Sequence, residues 1–267
     1  MARLTLEKPK SKSAYPIAII KCEKNTKSPY HNKFLYLNPD DKAEGETKIT
    51  IPDDCVFNII PSTDKDKRDV IYVAGASGSG KSYQAKIFAD NYRRLFPHRE
   101  VYLISKLAED STLDSMKTGV PERLDYSTFV DSPPDINTFS NSLVIADDFD
   151  TIDGKAGKAL KLFLDDIAIM GRKHHENQGN VSLLVLTHKL SDYGRTRVLL
   201  NESSHYLLYP QSTAFNQLSN LLEKYIGLTK DDLRRIRRLG RWVLISKNFP
   251  QYVMAQHHAE ILHTADE

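Results

Sequence analysis

The sequence predicts an α/β fold: a mostly parallel central sheet flanked by helices, with a small β-rich N-terminal extension and a C-terminal β-hairpin. Three observations predict it. Residues 75–82 read Gly-Ala-Ser-Gly-Ser-Gly-Lys-Ser, a complete G-x-x-x-x-G-K-[ST] phosphate-binding loop. An apolar run, residues 69–74, precedes the loop, and Ala85, Phe88, Ala89, Tyr92 and Phe96 follow it at helical spacing. That strand–loop–helix context is the one phosphate-loop NTPases use. Further on, short and fully apolar runs alternate with helical patterns, which implies parallel strands buried on both faces.

Residues 1–13 carry Arg3, Lys8, Lys10 and Lys12 among Ser and Pro and read as a flexible basic arm. Residues 14–66 hold short extended runs at 16–21, 34–37, 47–51 and 56–60, separated by turn chemistry at 38–41 and 52–54, and form the β-rich extension. The charged stretch 62–68 marks its boundary. Residues 67–258 form the main domain, with strands predicted at 69–74, 101–105, 143–146, 181–186 and 205–209. A helix over 154–170 presents Ala156, Leu160, Phe163, Leu164 and Ile167 on one face, with Asp153 as N-cap and Gly171 as stop. Helices over 213–226 and 229–238 precede two strands, 241–246 and 252–255, that close as a hairpin around Asn-Phe-Pro-Gln. Residues 259–267 are left as a tail.

The 267 residues are 27% charged and 40% apolar with a net charge of +2, so any nucleic-acid contact must be a local patch. Cys22 and Cys55 lie far apart without a metal-ligand pattern and read as free thiols in a reducing compartment. No apolar run approaches the roughly 18–20 residues that span a bilayer, and the first residues lack the apolar core of a secretory signal. The expectation is a soluble, intracellular protein without membrane insertion.

The loop states the chemistry expected of it. Gly75, Ala76, Ser77, Gly78, Ser79, Gly80, Lys81, Ser82 and Tyr83 form the nucleotide cradle, its glycines letting successive N–H groups turn toward phosphate oxygens. The following helix N-terminus adds positive potential. Lys81 should reach the β- and γ-phosphates of ATP, and the Ser82 hydroxyl should ligate Mg2+. The strand 143–146 ends in Asp147 and Asp148. The first acid would hold magnesium and the second would activate the attacking water. Asp148 is one methylene shorter than the Glu many such ATPases use. Thr187 or His188, ending the strand 181–186, would face the γ-phosphate. Arg172 sits in a basic loop with Lys173, His174 and His175; it reads either as a finger completing a neighbour's site or as a solvated helix cap. The basic run 234–241 and Lys155, Lys158 and Lys161 are rival DNA-gripping groups, and the sequence leaves both open, beside a solvated or ion-paired face.

Taken together, these motifs resemble the poxvirus-type virion DNA-packaging ATPases of giant viruses, within the FtsK–HerA superfamily. The resemblance covers residues 68–256. It rests on the phosphate loop, the 143–148 strand, Gly-Arg-Lys-His from 171, the strand ending at His188, Asn201, and the order of the segments that follow. It implies a RecA/FtsK-like P-loop fold, ATP and Mg2+ as cofactors, and a homo-oligomeric ring that moves double-stranded DNA into a capsid. It also implies a trans-acting Arg172, contact with capsid or portal components, and a place in host cytoplasm, viral factory or virion. His188 departs from the superfamily's usual Gln or Asn. Two rivals stand beside this reading: a nucleotide-dependent switch or assembly factor that moves no DNA, and a P-loop nucleotide kinase, for which residues 111–134 offer no obvious lid.

Overall fold

In a computed structural model of the chain, residues 2–40, 44–173 and 178–262 are described. Two compact units emerge, one made of residues 1–63 with 205–267 and the other of residues 64–204.

Residues 2–63 form β1 (Arg3–Thr5), β2 (Tyr15–Lys21), β3 (Phe34–Asn38), β4 (Lys48–Thr50) and β5 (Val56–Ile59). The order β1-β3-β2-β5 makes an antiparallel sheet. Here the structure corrects the flexible-arm expectation for residues 1–13. Leu4 is fully buried, β1 pairs with β3, and the Leu4 and Glu46 backbones exchange hydrogen bonds. One buried leucine in a polar segment is too little signal to be read in the sequence. The free-thiol reading is corrected as well: Cys22 and Cys55 form a disulfide. The antiparallel register Lys21↔Val56 brings the two cysteines, 33 residues apart in the chain, side by side, and the compartment inferred from free thiols falls with that reading.

The second unit contains β6 (Val70–Ala74), α1 (Lys81–Leu95), β7 (Val101–Ile104), β8 (Glu122–Arg123), β9 (Leu143–Ala146), α2 (Gly154–Met170), β10 (Ser182–Thr187) and α3 (Tyr193–Glu202). Its strands run in the order β6-β10-β9-β7-β8, every pair parallel. All residues of β6, β9 and β10 are buried, as a sheet covered on both faces requires. α1 buries Ala85, Phe88, Ala89 and Tyr92, its predicted face. Phe163 of α2 packs edge-on against Phe129 and Phe139.

Both ends of α2 differ in detail from expectation. Asp153 stands at the N-cap position without a side-chain cap, and its carboxylate instead pairs with Arg195. Gly171 does end the helix, with φ −68°, so no left-handed turn calls for it. Close packing does: a Cβ there would lie 2.5 Å from the Ile167 carbonyl oxygen and 2.5 Å from Arg68 Nη1. Arg68, at the end of the charged boundary stretch, donates to the Ile167 and Ala168 carbonyls and so caps α2. Burial, and then the neighbouring Arg172, lower its pKa to about 10.

The first unit is completed by β11 (His205–Leu208), α4 (Phe215–Ile226), α5 (Lys230–Ile236), β12 (Val243–Ser246), β13 (Tyr252–Ala255) and β14 (His258–Ile261). Thr229 and Asp232 close a capping box at the start of α5. β12 and β13 form the expected hairpin. β14 pairs with β13 and, through Ala259↔Ile49, with β4, so part of the expected tail is a strand. The basic run is held within this unit: Arg234 pairs with Asp231, Arg235 with Asp232 and Glu260, and Arg237 donates to the Pro210 carbonyl. Among the described residues no helix is long and apolar enough to cross a membrane.

Gly171→Ala is expected to lower stability by about 1–3 kcal/mol, since backbone and a capping guanidinium must both move. Gly194→Ala is the control: its Cβ would meet nothing nearer than an Asp192 oxygen at 3.7 Å. Thermal unfolding of the two variants checks the difference.

Candidate nucleotide site

The site lies where β6, β9 and β10 end, and sheet order builds it. β10 sits between β6 and β9, so a residue just past β10 lies between the phosphate loop and the acidic pair. The Gly75 amide donates to the Thr187 carbonyl, which ties the loop to β10. Gly78 and Gly80 take φ of 72° and 110°, a region costly for side chains with a Cβ. At Gly78 nothing lies within 4 Å of a Cβ, so backbone conformation alone asks for glycine. Ala76 and Ser77 are exposed and Ser79 is buried. Gly80 occupies the N-cap of α1 with no side-chain cap, so the helix opens directly on the loop.

Lys81 is 6% exposed. Its ammonium donates to the Gly75 carbonyl at 3.0 Å and the Ala76 carbonyl at 3.5 Å, and lies 3.3 Å from His188 Nδ1. An ammonium can only donate, so Nδ1 accepts and the ring proton belongs on Nε2. Nε2 lies 2.9 Å from Asp148 Oδ2, and Asp148 Oδ1 lies 3.9 Å from the Lys81 nitrogen. Lysine, histidine and aspartate thus form one closed group.

Asp148 has φ 50° and ψ 35°, a left-handed conformation that Asp and Asn tolerate better than longer side chains. This accounts for the shorter acid at the position. Its Oδ1 is buried, makes no hydrogen bond, and has the Lys81 charge 3.9 Å away. Asp147 is 5% exposed, and its backbone N–H donates to the Ile104 carbonyl of β7. Burial first, then the like charges of Asp148 and Asp110, raise its pKa to about 6, while Lys81 and His188 oppose the shift. A buried carboxylate so short of positive charge fits a divalent-cation ligand, with the half-exposed Ser82 one residue past Lys81 as its companion. Tyr83 is 52% exposed at the same mouth.

Arg172 is placed elsewhere. The Val181 amide donates to the Gly171 carbonyl, which sets this loop at the start of β10, whereas His188 follows its end. A six-residue strand separates them by roughly 20 Å. Arg172 is exposed and pairs loosely with Glu202 at 3.4 Å. His174 and His175 lie outside the described residues. Lys161 pairs with Asp165, while Lys155 and Lys158 are exposed.

Several supporting residues carry no sequence signal. Arg195 donates to the Asp150 carbonyl and pairs with Asp153, bracing the loop after the acidic pair. The Lys189 amide contacts the Asp150 carboxylate, joining the β9 and β10 loops. Asp110, past β7, adds negative potential at Asp147. Each becomes visible only when the strands are placed side by side.

No protein-family model matches the chain. It is 29% identical over 237 residues to uncharacterized protein V3 of Sputnik virophage, covering 87% of this chain and 91% of the relative. Solved structures similar to it include viral genome-packaging NTPases. B204 of Sulfolobus turreted icosahedral virus 2, bound to ATPγS, gives a TM-score of 0.47 at 14% identity, over 73% of this chain and 98% of that one. The pCW3 conjugation coupling protein TcpA, also with ATPγS, gives 0.47 at 14% identity over 90% and 77%. EssC of Geobacillus thermodenitrificans gives 0.45 at 14% identity over 96% and 46%.

Asp147→Asn should stabilise the nucleotide-free protein at pH 8, by on the order of 1–3 kcal/mol, because it removes a carboxylate ionised against its surroundings. The pKa is raised in the fold, so the gain is full above about 6 and shrinks as pH falls through 6 toward 4. Unfolding curves at pH 8 and pH 5 check this.

Proposed function

We propose that the chain is an ATPase motor that hydrolyses ATP and moves double-stranded DNA, packaging a viral genome. The observation that carries the hydrolysis is the closed group at the strand ends: a phosphate-loop lysine linked through His188 to a carboxylate, one of whose oxygens makes no hydrogen bond. In this reading the loop amides and Lys81 bind and orient the phosphates. Asp148 positions a water in line with the γ-phosphorus and takes its proton as the new P–O bond forms and ADP leaves. Ser82 and Asp147 would hold Mg2+, which when bound neutralises charge on the phosphate oxygens.

Arg172 lies too far from its own site to act there, which supports action in a neighbouring copy and hence a homo-oligomer. DNA as the moved substrate, the ring, and a capsid or portal component as the docking partner all follow from the motif resemblance. The exposed Lys155 and Lys158 now lead as DNA contacts, because the rival arginine run is largely paired within its own unit.

Hydrolysis with magnesium should rise with long double-stranded DNA and climb steeply with protein concentration, and Lys81→Ala should abolish it. Turnover that stays slow and flat in both variables would move the reading to a nucleotide-dependent switch. Arg172→Ala mixed with Asp148→Asn should regain activity that neither variant has alone, since each supplies what the other lacks. Mixing without recovery would remove the support for a finger in trans.

A further inference from the structure

We propose that His188 is a positioning residue that exchanges partners: it holds the Lys81 ammonium while the site is free of nucleotide, then holds Asp148 alone once Lys81 moves to phosphate. The inference rests on the nucleotide-site reading above and deepens it. The three donors of the ammonium have three acceptors within reach, the Gly75 and Ala76 carbonyls and His188 Nδ1. The lysine is therefore satisfied without a phosphate, and a phosphate must displace a partner to engage it. The Gly75 carbonyl lies at 3.0 Å, Nδ1 at 3.3 Å and the Ala76 carbonyl at 3.5 Å, so distance does not choose among them. The two carbonyls belong to the phosphate loop that carries Lys81, whereas Nδ1 belongs to a side chain from another strand that is about one-third exposed. Nδ1 is the partner to be released.

The second bond of the ring does not depend on the first. Nε2 lies 2.9 Å from Asp148 Oδ2 and fixes that oxygen, so that Oδ1, which makes no hydrogen bond and sits 3.9 Å from the Lys81 nitrogen, is released to a water once the ammonium moves to phosphate. Without His188, a short side chain on a left-handed backbone keeps only the distant Lys81 charge to orient it, and that charge leaves with the phosphate. The bridge needs one planar group with an acceptor and a donor. A neutral imidazole has both, and so does a carboxamide; an alkyl side chain has neither.

The test begins without nucleotide. In protein with 15N-labelled histidine, His188 should show the Nε2-protonated tautomer. Its Nδ1 resonance should move in Lys81→Ala, and should move likewise in the wild type on adding a non-hydrolysable ATP analogue with magnesium. In steady-state hydrolysis, His188→Leu should lower kcat about 10–100-fold with KM within about threefold, and His188→Gln should restore most of the loss. An Nδ1-protonated ring, an Nδ1 signal indifferent to Lys81→Ala, or Leu and Gln variants alike in kcat would each overturn the proposal. If the wild type neither binds nor hydrolyses ATP, the nucleotide reading fails, while the tautomer and its response to Lys81→Ala still decide whether the bridge exists.

Discussion

A lysine that is only 6% exposed must have its ammonium surrounded by acceptors, and that requirement organises the unit of residues 64–204. Lys81 takes two acceptors from its own loop and one from the end of β10, and meets a carboxylate from the end of β9. Groups from three strands can converge on one nitrogen only if the strands are neighbours, and β10 lies between β6 and β9. The same convergence explains Asp148. The backbone turns left-handed immediately after β9, which returns the side chain toward His188, and a short acid suits that turn.

The parts legible in the sequence are those encoded over short stretches. A phosphate loop is contiguous, a doubly buried strand is a run of apolar residues, and α1 and α2 announce themselves by the spacing of Phe88, Tyr92, Leu160 and Phe163. What escaped depends on pairing across the chain. β14 is too short to read alone and becomes a strand because Ala259 faces Ile49. Cys22 and Cys55 look unrelated until β2 and β5 align. Arg68 looked like part of a linker, yet its guanidinium serves carbonyls about 100 residues later.

Charge shows the same division between local appearance and placed role. The run from Arg234 to Arg241 is the densest basic segment, and most of its described partners are carboxylates of its own unit. Arg235 is held most firmly of these, since its Glu260 partner is 8% exposed, whereas the exposed Arg234–Asp231 pair contributes little. His188 is the converse case. One histidine at a strand end says little by itself, yet it becomes central because its ring has two nitrogens and the sheet sets an ammonium against one and a carboxylate against the other.

Arg172 sits at the start of β10 while the lysine–histidine–aspartate group sits past its end, so the two are separated by the length of the strand. Side-chain reach cannot close that gap within one chain. If Arg172 completes a nucleotide site, the site belongs to another copy, and the contact joins two different surfaces of the same molecule. Contacts of that kind either pair reciprocally about a two-fold axis, where one interface includes both surfaces, or repeat head to tail, closing into a ring where the rotation allows and growing into a filament where it does not. The position of one arginine relative to one strand therefore calls for a second copy, and the rotation between copies decides which assembly forms.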